Sequence, residues 1–138
     1  MITLESFKEN EIVALNGDSY LYTILKPFKK YLILESIDSV PIQKKCFFYK
    51  EEVSCLNSIG VYINEEKEKD TISLMDLLKI IKERSHGEKI EKEIIQSKNK
   101  AAKIFESFFP NYSREKVSYN NMKKIFKWYN RLLEFKKI

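Results

Sequence analysis

Glycine is scarce in this sequence, with three among 138 residues. That excludes a Gly-rich phosphate loop, a dinucleotide fingerprint and a nucleophile elbow. Histidine occurs once, as His86 beside Gly87 in a polar stretch, where an imidazole is far more often a solvated loop side chain than a general base. Cys46 and Cys55 show no C-x-x-C spacing, which argues against a zinc site or disulfide framework and leaves both as small buried apolar side chains. No run approaches the roughly 18 apolar residues of a membrane span. The start, MITLESFKENE, is acidic and lacks the cationic and apolar regions of a secretory leader. The expectation is a cytoplasmic protein with no membrane partner, metal or cofactor. It is also expected not to be an enzyme. Glu35 and Asp38 come nearest to a carboxylate pair, yet no apolar pocket or partner is evident to tune them.

Apolar and aromatic residues, by contrast, are plentiful: 43% of the chain is hydrophobic and 13% is Phe, Tyr or Trp, enough to bury a core without staples. Charge is segregated. Residues 98–138 carry 11 Lys and Arg against 3 acids, a net of +8, whereas residues 1–97 carry 14 against 17, a net of −3. Only three of the 25 basic residues are Arg, so bidentate recognition of bases or phosphates has few candidates.

The first half reads as strands. IVAL (12–15) ends at Asn16-Gly17, a tight-turn dipeptide. YLYTILK (20–26) and YLILESI (31–37) form a hairpin across PFKK, and KKCFFYK (44–50) reads as a fourth strand. VSCLNSI reads as a short turn of helix, and GVYI (60–63) as the fifth strand. Five strands with one helical turn before the last is the order of an SH3-like small barrel, which disposes of exposed sheet edges.

The charge run NEEKEKD (64–70) ends that barrel. Ser73, three residues before Asp76, caps a helix over 73–84 with Leu74, Leu77, Leu78 and Ile81 on one face. Residues 85–97 read as a polar linker with a weak helix near 91–96. A second helix runs from Lys98 to about Phe109, with Ala101, Ile104, Phe105 and Phe108 aligned before Pro110 stops it. A third spans about Asn120 to Lys136, and its core stripe is Met122, Ile125, Phe126, Tyr129, Leu132 and Leu133. The fold class is therefore α+β: an SH3-like β-barrel over 1–66, a first helix and polar linker over 67–97, and a basic two-helix segment over 98–138.

On the third helix, steps of 100° gather Lys123, Lys124, Lys127 and Arg131 opposite the core stripe, with Trp128 and Phe135 at the border. A cationic face edged by aromatic rings would hold phosphates and stack bases. Any solvated helix face also shows lysines, with Trp128 then only widening the apolar stripe. The direction of Trp128 separates the two readings.

The stretch FFPNYSREKVSYNNMKKIFKWYNRLL, with its Lys-Lys-x3-Trp-Tyr-Asn run, resembles the C-terminal segment of a family of small uncharacterised Bacteroidetes proteins. NGDSYLYTIL, LILES, VSCLNSIGVYI and SLMDLLKII are similar to that family's strands, helical turn and first helix. This chain departs from the pattern in having Asn16-Gly17-Asp18-Ser19 at the first turn. The resemblance implies architecture and cytoplasmic location, and no activity. The expected function is a binding module for RNA or a ribonucleoprotein or transcription complex. The alternative is a protein–protein adaptor or homodimer anchored by Trp128 and Phe135.

Overall fold

The computed structural model describes residues 7–18, 20–63 and 71–138. The charge run 64–70 and most of the N-terminal stretch read for a leader lie outside the described residues. The chain divides into two compact units, residues 1–58 and 59–138.

In the first unit, β-branched and aromatic runs become β1 (Ile12–Leu15), β2 (Leu21–Pro27), β3 (Tyr31–Ser36), β4 (Gln43–Phe47) and β5 (Val53–Cys55), followed by a single 3-10 turn over Leu56–Ser58. They form one antiparallel sheet in the order β4-β3-β2-β1-β5. Pro27 closes β2 rather than interrupting it, and a bulge between Ile24 and Lys26 takes up one extra residue. Gly17 turns the chain after β1 with φ of +82°, a conformation that favours glycine. Alternation places Leu32 and Leu34 of β3 in a buried cluster with Val13, Leu15, Ile24 and Cys46, leaving Tyr31, Ile33 and Glu35 partly exposed on the outer face.

Two expectations change here. VSCLNSI supplies a strand first and its helical turn afterwards, because Val53 and Cys55 pair with Leu15 and Val13 of β1. Residues 60–63 do not join this sheet. Gly60–Tyr62 is β6, which pairs with β7 (Thr71–Ser73) in a two-stranded ribbon of the second unit. Among the described residues no ladder joins the edge strands β4 and β5, so closure into a barrel is not seen.

The second unit adds α1 (Leu74–Arg84), α2 (Lys92–Gln96), α3 (Lys98–Phe108) and α4 (Tyr119–Glu134) to that ribbon. Ser73 caps α1 by accepting from Asp76 N, and Ser97 caps α3. The weak helix expected near 91–96 is α2. On α3 the buried residues are Ala101 and Phe105, while Ile104 and Phe108 are only half-buried and Phe109, just past the helix, is buried in their place. Ser118 and Asn121 form a reciprocal capping box at the start of α4. Ser118→Ala removes the acceptor for Asn121 N and one side of that box, and should lower stability by about 1 kcal/mol in urea denaturation.

Candidate nucleic-acid interface

The capping box fixes where α4 begins and therefore which residues share a face. Lys124 and Lys127 are exposed, and Lys123, Arg131 and Phe135 are half-buried. Trp128 is not at an exposed border: it is 7% exposed and packs with the core side of the helix. The reason is helical spacing. Ile125, Trp128 and Leu132 form a row at i, i+3 and i+7, beside the row of Met122, Phe126 and Tyr129. The stripe is wider than expected, and Leu133 at its other margin is only half-buried. The lysines lie over rings: Lys124 Nζ is 4.9 Å from the Trp128 centroid and Lys123 Nζ is 5.1 Å from that of Tyr119. Arg131 Cζ is 5.8 Å from the Phe135 ring centroid.

Three grooves border α4, and one of them, of about 560 Å³ at its N-terminal end, includes Glu115 and Arg114 in its lining. A second, of about 430 Å³, is lined by Lys92, Ile95 and Gln96 of α2 and by Tyr119, Lys123, Lys127 and Asn130. The third, of about 260 Å³, is more apolar; Val61, Val117, Ile125 and Trp128 line it, with Tyr62, Lys116 and Lys124 among the remaining wall residues. Neither of these last two is lined by a carboxylate. Among the described residues Lys123, Lys124 and Lys127 enter no ion pair. Lys116 Nζ sits 4.5 Å from the Tyr62 ring centroid. Lys92 and Lys116 were not singled out from sequence, because they lie on other segments and each reaches its own groove beside α4 only through tertiary packing.

The Trp-Tyr-Asn run is structural. Tyr129 is fully buried, and its hydroxyl donates to Glu88 O and meets Ser85 Oγ, both at 2.8 Å. Burial pushes its pKa upward. Asn130 brackets the Ile90 backbone, accepting from Ile90 N and donating to Ile90 O at 2.8 Å each. These bonds dock the polar 85–90 stretch against α4.

Nucleophilic chemistry finds no support in the thiols. Burial, then donation to Glu51 at 3.1 Å, pushes the Cys46 pKa up to about 12. Burial also pushes the Cys55 pKa up to about 11. Both changes disfavour the reactive thiolate. His86 is an exposed residue of the turn after α1, with φ of 58°. Among the described residues no cluster of metal-ligating side chains forms, and no helix is long and apolar enough to cross a membrane.

The chain is similar to a Bacteroides vulgatus protein whose solution NMR structure came from structural genomics. Identity is 23% and the TM-score 0.70, covering 95% of this chain and 89% of that one. At that identity the likeness shows the fold alone. Residues 59–132 match the profile of a domain of unknown function, DUF6852. No curated protein matches the chain.

Proposed function

This chain belongs to the DUF6852 family of domains of unknown function through residues 59–132, and we propose that it is a non-enzymatic binding module whose ligand is RNA, free or within a ribonucleoprotein or transcription complex. The observation that carries this reading is the pair of carboxylate-free grooves flanking α4, walled by Lys92, Lys116, Lys123, Lys124 and Lys127. Phosphates are held by such cations without base readout, which suits lysine more than the scarce arginine. A basic groove tracking a backbone is a recurrent way to hold nucleic acid. We read the first unit as SH3-like: β5 returns to the β1 edge of a four-strand meander, the order that small barrels use. On this reading the protein works in the cytoplasm.

Reversing Lys123, Lys124, Lys127 and Arg131 to Glu should weaken binding to a structured RNA by about tenfold or more and flatten its salt dependence between about 50 and 200 mM. Equal affinity of the reversed and original proteins in a filter-binding titration would sink the reading. A protein partner is the second reading, favoured by the apolar groove beside Trp128 and by Tyr62, which is 41% exposed at its wall. On this reading Trp128 forms part of the groove wall that receives a partner's side chain, and the half-buried Phe135, which does not line the groove, is a separate anchor. Nuclease treatment before a pull-down separates the two: partners held through RNA are lost, and direct protein partners stay.

A further inference from the structure

The first unit carries a second arrangement of rings and cations, remote in sequence from α4. Strand register puts Tyr31 directly opposite Phe47 on the outer face at the sheet edge formed by β4. Their centroids are 5.2 Å apart, Phe28 in the preceding turn stacks on Tyr31 at 4.8 Å and 19°, and Tyr49 continues the row 5.6 Å beyond Phe47. One rung away, Lys26, Ile33 and Lys45 lie abreast across three strands. Lys26 Nζ reaches within 5.4 Å of the Phe28 centroid and Lys45 Nζ within 5.4 Å of that of Tyr31. Lys50 lies 5.8 Å from the Tyr49 ring centroid.

Four aromatic rings in a row is a poor use of a solvent-facing sheet if stability alone is served. Phe28, Tyr31 and Phe47 are partly exposed and Tyr49 is 77% exposed. The carboxylates nearby are engaged or displaced. Glu51 takes Lys44 and Cys46, and Glu52 accepts from Asn16. Glu35 lies at the far end of the outer face, opposite Gln43. The row therefore pairs π-faces with positive charge, the combination that binds unstacked bases and their phosphates. A duplex hides its base faces, so the chemistry selects a single strand.

We propose that the outer face of β3 and β4 binds a single-stranded polynucleotide, with bases stacking along Tyr31, Phe47 and Tyr49 and phosphates on Lys26, Lys45 and Lys50. This surface is independent of α4. In the full-length protein, Tyr31→Leu with Phe47→Leu should weaken oligouridylate binding roughly tenfold or more, whereas Tyr31→Phe, which keeps the ring, should leave it unchanged. Oligodeoxyuridylate is run in parallel: comparable affinity means stacking alone is read, and preference for oligouridylate means the 2′-hydroxyl is also sensed. Wild-type affinity in the folded double Leu variant overturns the proposal. Should that variant fail to fold, photo-crosslinking of 5-iodouridine oligonucleotides to the unaltered protein decides it. Adducts at residues 28–50 support the surface, and adducts confined to 116–131 overturn it. Loss of structured-RNA binding on α4 charge reversal is a separate result, so either surface can fail alone.

Discussion

Phe105→Ala should cost about 3–5 kcal/mol of stability in the second unit, the usual loss when a buried aromatic side chain is truncated. The ring is fully buried and sits among three others, with centroids at 5.0 Å to Tyr112, 5.8 Å to Phe126 and 6.2 Å to Phe109. Two of these pairs are edge-on near 84°, an orientation that adds to the area buried. Removing the ring loosens α3, the 109–113 turn and α4 together. Trp128 is the sole tryptophan and lies in residues 59–138, so its fluorescence during urea unfolding reports this unit. A change below about 1 kcal/mol would mean that these rings do not pack as described.

Trp128→Ala should be nearly as damaging, at about 3–5 kcal/mol, because the indole is buried rather than presented to solvent. Its loss would merge the apolar groove with the space it vacates and remove the ring over which Lys124 lies. Circular dichroism melting is the measurement, since the fluorophore is gone. Trp128→Phe separates the roles of the residue. It keeps an apolar ring in place, and on the RNA reading it should retain most of the affinity, because the lysines do the holding. A folded Trp128→Phe protein that no longer binds RNA would show that the indole itself meets the ligand.

Both substitutions bear on how far the sequence could be read. β1 to β4 and three of the four helices were legible because β-branched runs, serine caps and Pro110 are local signals. So was the family, from the Lys-Lys-x3-Trp-Tyr-Asn run and the motifs before it. β5 was not, and β6 was legible as a strand but not its pairing, because strands of three residues have no period of their own and their partners are distant, β1 for one and β7 for the other. The cationic face of α4 was legible as a set of lysines, and the burial of Trp128 was legible as one of two readings, the one in which its ring only widens the apolar stripe; which of the two holds depends on the packing partners of α4. The row of rings on β3 and β4 was present in PFKK-Tyr31 and in KKCFFYK. Its outward direction depends on register: Phe47 faces out while Cys46 faces the core.

The bracket that Asn130 places on Ile90 has a kinetic consequence. Ile90 lies outside any helix or strand, in a stretch with no ladder of its own, yet its amide and carbonyl are both satisfied by one side chain of α4. In deuterated solvent its amide should exchange only when α4 itself opens, orders of magnitude more slowly than that of its exposed neighbour Lys89. Asn130→Asp replaces the donor to Ile90 O with a carboxylate oxygen that repels that carbonyl, and the repulsion should open the bracket and speed exchange of the Ile90 amide. By this measure residues 85–90 belong to the same cooperative opening unit as the last helix.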